Sequence, residues 1–323
     1  MAGDDIGIVV IGRNEGKRLI DCLGSIPIDA SCVTYVDSGS TDDSLQAASR
    51  FGVSTVDLTG PHTAARARNE GFAALKKRRP HLRFVQFIDG DCKLDPRWLD
   101  MAADFIKQRD DVAIVCGRRR ECDLSSSVYN RLCDIEWNTP VGEASWCGGD
   151  LLVRADAFEQ VHGFNAQLIA GEEPELCLRL REAGWRIWRL DADMTYHDAA
   201  IRRFSQWWVR TVRGGYAMAE VSKLHWRSPV GIWRLELFRA ILFGGLLPGL
   251  ICAAALIQPL AVAALLFYIA QVCRIGIARQ PHAADPWAYA AFVTLAKFAE
   301  FQGVVKFYWR QLRHRPIELI EYK

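Results

Sequence analysis

Two carboxylates one residue apart, Asp89 and Asp91, close an apolar run of strand type, Phe84-Val85-Gln86-Phe87-Ile88, with Gly90 between them. Strand side chains alternate between faces, so this spacing lets both acids point the same way while the glycine keeps the turn open. A buried strand that empties into Asp-Gly-Asp delivers both groups to the carboxyl edge of a sheet, where open α/β sheets bind their ligands. Carboxylates that close repel each other unless a cation lies between them. A hard divalent ion carried on phosphates, Mg2+ or Mn2+, is the usual resident.

The elements needed to position such a pair are readable along the chain. Ile6 to Ile11 is a short apolar run that ends at Gly12-Arg13-Asn14-Glu15-Gly16, before an amphipathic helix carrying Leu19, Ile20 and Leu23. Val33 to Val36 reads as a second strand ending at Asp37-Ser38-Gly39-Ser40-Thr41-Asp42, whose Thr41 or Asp42 can cap the next helix. Val53 to Leu58 pairs with a helix near Ala64 to Lys77, and the helix after the Asp-Gly-Asp strand begins past Pro96. Strand and helix alternating at this spacing predict a Rossmann-like α/β domain, a mostly parallel sheet flanked by helices. Further on, Trp146-Cys147-Gly148-Gly149-Asp150 leads into Leu151 to Val153. Gly171-Glu172-Glu173-Pro174-Glu175-Leu176 opens another helix, and Trp185 to Leu190 reads as a strand. The turn after the first strand is not G-x-G-x-x-G, which argues against a dinucleotide fold, and it lacks the Gly-rich, Arg/Lys-bearing loop of a nucleotidyltransferase.

The chain has 323 residues and is 50% apolar, ample for a core, with a formal charge of +2 from 40 Lys+Arg against 38 Asp+Glu, so bulk charge gives no reason to expect nucleic acid. Basic runs at Lys76 to Arg79, Arg118 to Arg120 and Arg310 to Arg315 read as solvated faces, or as attraction to anionic lipid if they lie beside a membrane. The ten cysteines show no C-x-x-C and no zinc-ligand spacing, which predicts reduced, mostly buried thiols. The amino terminus has no apolar stretch after a basic start, so no signal peptide is expected.

From Ala240 to Cys273 no residue is charged, a run long enough for two short apolar helices broken near Gln258-Pro259. Arg234 and Arg239 flank one end, and Arg274 and Arg279 the other. A hairpin with both ends on the cytoplasmic side of the inner membrane is therefore expected, whether it crosses the bilayer or only inserts. Beyond Pro286, Trp287, Ala291, Leu295, Phe298, Phe301, Val305, Tyr308 and Leu312 recur at helical period. That stripe suits either the membrane interface or packing back onto the globular part. The expected division is residues 1–230, catalytic and cytosolic, and 231–323, membrane-associated and helical.

Taken in order, Asn14-Glu15, Asp37-Ser38-Gly39-Ser40-Thr41-Asp42, Ala67-Arg68-Asn69-Glu70-Gly71, Asp89-Gly90-Asp91 and Gly171-Glu172-Glu173-Pro174-Glu175-Leu176 resemble the motifs of the family 2 glycosyltransferases of the GT-A fold, which invert and use nucleotide sugars. The resemblance covers roughly residues 5 to 220, and the hydrophobic tail is similar to that of membrane-attached members. It implies that Asp37 reads the nucleotide base, with Asn14 and Glu15 in the nucleoside pocket, and that Arg68 steadies the diphosphate. Asp89 and Asp91 would hold the metal on the donor, Asp91 directly and Asp89 through ribose or metal water. His197 would supply a third ligand or a diphosphate contact, and Gly148 and Gly149 would floor the sugar pocket. The family places an acid-Asp pair at a helix start, with the Asp as base; here the pair is Glu172-Glu173, and the base is Glu173 or Glu172. Gln206-Trp207-Trp208-Val209-Arg210 departs from the Gln-x-x-Arg-Trp signature of processive members, so no polymerase is inferred, and its tryptophans are expected to stack on acceptor sugar or sit at the membrane surface. The function implied is transfer of a sugar, UDP-linked, to a membrane-proximal, lipid-linked glycan. The alternatives are a polyprenyl-phosphate glycosyltransferase and a non-catalytic membrane scaffold.

Overall fold

Strand β1 (Ile6–Gly12) is buried from Ile6 to Ile11, and it seeds a sheet whose neighbours are apolar for the same reason. It pairs in parallel with β2 (Val33–Asp37) on one side and β4 (Phe84–Asp89) on the other, and β2 pairs in parallel with β3 (Ser54–Asp57). A strand covered on both faces reads as a continuous hydrophobic run, which is why these elements stand out in the sequence. The computed structural model describes residues 5–280 and 285–313; Arg315 of the third basic run and the first four residues lie outside them.

The remaining strands are β5 (Cys92–Leu94), β6 (Val112–Glu121), β7 (Gly142–Ala144), β8 (Leu151–Arg154) and β9 (Arg186–His197). Among the described residues the sheet runs β3-β2-β1-β4-β8-β6-β9-β5, with β7 paired to β9. Strand β8 lies antiparallel between β4 and β6, β6 and β9 run parallel, and β5 and β7 pair antiparallel to β9. The fold is α/β as expected, but the sheet is mixed: in its second half β8, β5 and β7 pair antiparallel and only β6 and β9 run parallel. Buried Trp98 donates its indole N–H to Gln86 Oε1 at 2.8 Å, satisfying two polar groups inside the core.

The chain packs as two compact units. The first comprises Met1–Ser126 and Cys133–Ala200 and contains the whole sheet. The second comprises Ser127–Leu132 and Ile201–Lys323 and is helical where described. Its helix Phe204–Leu224 lies against Pro286–Leu312 so closely that a Cβ on Gly215 would strike the Glu300 backbone, and one on Gly303 the backbone of Val212 and Tyr216. The face that packs is not the predicted stripe: Ala290, Ala299, Gly303, Val304 and Phe307 are buried, whereas Trp287, Val305, Tyr308 and Leu312 of the stripe are exposed, because the close helix contact runs along the small residues. Trp207 is also buried, with its ring against Tyr129 and Phe292, so it is a core residue of this unit and not an acceptor platform. Trp208 donates its indole N–H to Gln302 at 2.7 Å. Arg234–Ile257 and Pro259–Arg279 are long and apolar enough to cross a membrane, with mean hydropathies of 2.3 and 2.0, and the break falls at Gln258 as the sequence indicates.

Candidate active site

Arg68 is the hub of the first unit. It lies on the helix Ala64–Arg78, capped by the Thr63 hydroxyl, and Gly71 lets this helix press onto Val9 and Val36 of the sheet. The guanidinium, almost wholly buried, donates to Asp89 Oδ1 at 2.8 Å and to Glu172 Oε1 at 3.0 Å, and stands 2.9 Å from Glu173 Oε1. Three separate elements therefore meet on one cation: the end of β4, the Arg68 helix, and the start of the helix Glu172–Glu182. Asn69 exchanges two hydrogen bonds with the Phe164 backbone, at 2.8 and 2.9 Å, and the Phe164 ring underlies Arg68 with its centroid 5.4 Å from the guanidinium carbon.

Glu173 is the least comfortable charge here. Burial, and then repulsion from Glu172, push the Glu173 carboxyl up from 4.5 to about 7 despite Arg68. Burial acts on Asp89 in the same direction, but Arg68 and Arg119 outweigh it and hold this carboxyl below its usual range. Arg68 itself is held protonated by Glu173, Asp89 and Glu172 against the cost of its burial.

Arg119 and Asp150 belong to this centre, although the sequence marks neither. The Arg118 to Arg120 run reads as a solvated face, yet only Arg120 is exposed. Arg118 is buried and paired to Asp134 at 2.8 Å. Arg119 reaches Asp89 Oδ2 at 3.1 Å and Asp150 Oδ2 at 2.7 Å. The cause is local: register shifts between β6 and β9 fall on both sides of Arg118, and such irregularities re-aim side chains out of simple alternation. Asp150 is fully enclosed; its Oδ1 accepts the Asp89 backbone N–H at 3.0 Å, and its Oδ2 the Thr195 hydroxyl at 2.6 Å. Its only sequence signal is an acid directly before an apolar strand.

Asp91 and His197 form the second focus, with Oδ1 and Nε2 3.3 Å apart and both side chains buried. His197 Nδ1 is buried without a hydrogen-bond partner, and the ring is held edge-on to Trp137, centroids 4.8 Å apart. A buried carboxylate oxygen and an imidazole nitrogen this close to each other are a donor set that fits Mg2+ or Mn2+. Cys92 completes a possible metal-holding group with them. Burial foremost keeps its thiol protonated, so it is a poor ligand for a hard ion. Asp89 is differently engaged, each oxygen bonded to an arginine.

At the end of β2, Asp37 is fully buried and accepts from the Tyr35 hydroxyl at 2.8 Å, the Ser40 N–H at 2.7 Å and the Ser40 hydroxyl at 2.6 Å. Asn14, at φ 55°, ties the two loops together: its Oδ1 accepts the Thr41 N–H at 2.7 Å and its own N–H reaches Ser40 Oγ at 2.9 Å. Glu15 pairs with Arg18 at 2.7 Å. Of the paired glycines, Gly149 is the tight one: a Cβ there would collide with Arg68 and lie 3.0 Å from Glu173 Oε1 and 3.1 Å from Asp89 Oδ2, whereas Gly148 faces open space.

The family model described as Glycosyl transferase family 2 matches residues 8–146, a stretch that includes Asp37, Arg68, Asp89 and Asp91 and stops before Gly148, Glu172, Glu173 and His197. No curated protein matches the chain. Among solved structures, a mannosyltransferase from Pyrobaculum calidifontis in complex with GDP-Man and Mn2+ is similar over 95% of this chain and 88% of its own, with a TM-score of 0.63 at 16% identity. Residues 1–349 of TarS from S. aureus, in complex with UDP-GlcNAc, are similar over 95% of this chain and 92% of that one, with a TM-score of 0.55 at 14% identity. At such identities the likeness is one of fold.

Proposed function

We propose that the protein is a metal-dependent, inverting glycosyltransferase that moves a sugar from a nucleoside diphosphate to a hydroxyl of an acceptor held near a membrane, a reading supported by the match of residues 8–146 to the Glycosyl transferase family 2 model and by the fold shared with a mannosyltransferase. The observation that carries this reading is the convergence on Arg68, where the donor-side acid Asp89 and the helix-start acids Glu172 and Glu173 bond one buried guanidinium. Catalysis of sugar transfer needs a group that takes up charge on the leaving diphosphate beside a base that takes a proton from the acceptor, and both lie within this cluster.

In this reading Asp37 presents a buried acceptor to a donor group of the base, with Asn14 and Glu15 shaping the loops around it. Arg68 offers its forked N–H groups to the diphosphate. Asp91 and His197 would hold Mg2+ or Mn2+, and such an ion would supply Lewis-acid stabilisation of charge on the nucleoside diphosphate. Gly149 keeps the backbone low enough for the sugar to approach Glu173, with Gly148 beside it. Glu173 takes the acceptor proton as the hydroxyl attacks the anomeric carbon from the face opposite the diphosphate, and a carboxyl near 7 suits a base working at neutral pH. Glu172 stays on Arg68 and keeps that cation in place. We take the donor as UDP-linked, in keeping with the UDP-GlcNAc bound by one structural neighbour; a GDP-linked sugar, as bound by the other, is the alternative.

The two apolar helices support a membrane-held acceptor, such as a lipid-linked glycan, worked on from the cytoplasmic face. Leu256 and Ile257 are about nine-tenths exposed, which is costly in water and favourable in lipid. The test is nucleoside diphosphate release from UDP-, GDP- and CDP-sugars in the presence of a bacterial lipid extract, with the product anomer assigned by NMR. Release from one donor with inverted configuration is expected. Release with retention would overturn the inverting assignment, and no release from any donor would favour a scaffold.

A further inference from the structure

Asp89, Asp150 and Cys92 bring three metal-competent atoms within 4.8 Å of one another, a second such group beside the one formed by Asp91 and His197. This pocket already has an occupant. The Arg119 guanidinium bonds Asp150 Oδ2 through Nε at 2.9 Å and Nη2 at 2.7 Å, and the same Nη2 lies 3.1 Å from Asp89 Oδ2. We propose that Arg119 is the resident cation of the Asp89–Asp150 carboxylate pair: it positions Asp89 for the donor and closes that pair to a second divalent ion, leaving Asp91 and His197 as the one metal position.

Three further observations support it. Asp150 has no solvent exposure, so its charge requires a fixed partner, and a carboxylate buried without one is strongly destabilising. The guanidinium is braced on its far side by the Trp137 ring, whose centroid is 5.6 Å away, and a cation over an indole face is attracted to it. Asp150 Oδ1 also accepts the Asp89 backbone N–H at 3.0 Å, so one buried acid fixes both the main chain at Asp89 and the cation on its side chain. Four carboxylates, those of Asp89, Asp150, Glu172 and Glu173, thus share two guanidiniums, those of Arg68 and Arg119. Each arginine sits where two elements bring acids together. A rigid fork matches a carboxylate pair, whereas a hydrated ion in its place would be exchangeable and would leave the position of Asp89 dependent on metal concentration.

This assignment rests on the donor-site reading, and its test is separable from it because it uses the metal alone. Mn2+ bound per chain is counted by EPR of the free ion in detergent-purified wild type, R119A, R119K and the charge-compensated R119A/D150N. R119A is expected to bind one more Mn2+ than the wild type and to gain a Mn2+-dependent rise in melting temperature. R119K, which keeps a cation, and R119A/D150N, which removes the anion with it, are expected to bind as many as the wild type. A role for Arg119 in packing alone would not move this count. A folded R119A with unchanged stoichiometry overturns the proposal, as does an R119A that stays unfolded when Mn2+ is supplied. Loss of metal-dependent nucleotide binding in the wild type would instead overturn the donor-site reading and leave the Mn2+ count standing.

Discussion

Glu173→Gln separates the proposed base from its neighbours, because glutamine keeps the shape and an acceptor for Arg68 while removing the proton site. The wild-type carboxyl stands at about 7 against an ordinary 4.5, mainly through burial and the Glu172 charge. At about 1.4 kcal/mol per pH unit, holding it ionised costs on the order of 3 kcal/mol. With the folded state keeping this proton to higher pH than the unfolded chain, stability is full below about 4.5 and falls as pH rises towards 7. Glu173→Gln is therefore expected to match the wild type near pH 5 and to exceed it above pH 8, by up to about 3 kcal/mol in denaturant unfolding. Activity should move the other way. Only about a tenth of the wild-type carboxyl is ionised one unit below its pKa, so kcat/KM should drop about tenfold per unit below pH 7 and level off above it. Glu173→Gln should lose 10²–10⁴-fold and lose this limb. The assay is nucleoside diphosphate release between pH 5.5 and 8.5. Full activity in the variant would mean an acceptor that needs no base, such as a phosphate, and a limb that persists unchanged would assign the titration to another group; either result refutes the reasoning.

Gly149→Ala would drive a methyl into Arg68 and crowd Glu173 and Asp89; a loss of about 1–3 kcal/mol in unfolding, with a larger loss in turnover than the same change at Gly148, is the expected outcome. Leu250→Asp with Leu266→Asp puts one carboxylate on each apolar helix at positions about 60% exposed. At about 2.5–3.5 kcal/mol per charge near a span centre, the full-length protein should shift from the carbonate-washed membrane pellet to the soluble fraction, and unchanged pelleting would count against membrane insertion.

How far the sequence carries this picture depends on whether the determining interaction is local. β1, β2 and β4 are buried on both faces and show as apolar runs; Asp37, Asp89 and Asp91 are legible because they end such runs at one sheet edge. The direction of β8 is not legible, since four residues, Leu151–Arg154, fit either orientation and only their slot between β4 and β6 decides. β9 extends to His197, beyond the apolar stretch ending at Leu190, because pairing with β5 and β6 continues where Asp191 and Asp193 break the pattern. Arg119 was hidden in a basic run whose burial depends on a register shift and on Trp137, both set by distant residues. Trp207 was likewise settled by its partners Tyr129 and Phe292. In each case the chemistry of the residue was visible and its neighbour was not.

If Asp91 and His197 hold a divalent ion that brings a nucleoside diphosphate to Arg68, isothermal titration of UDP and GDP into the detergent-purified protein will register it. With Mn2+ present, the wild type is expected to bind one of these nucleotides at least tenfold more tightly than with EDTA, and that gain should vanish in Asp91→Asn while the fold is retained. Equal binding with Mn2+ and with EDTA, or a gain that survives Asp91→Asn, would contradict the account.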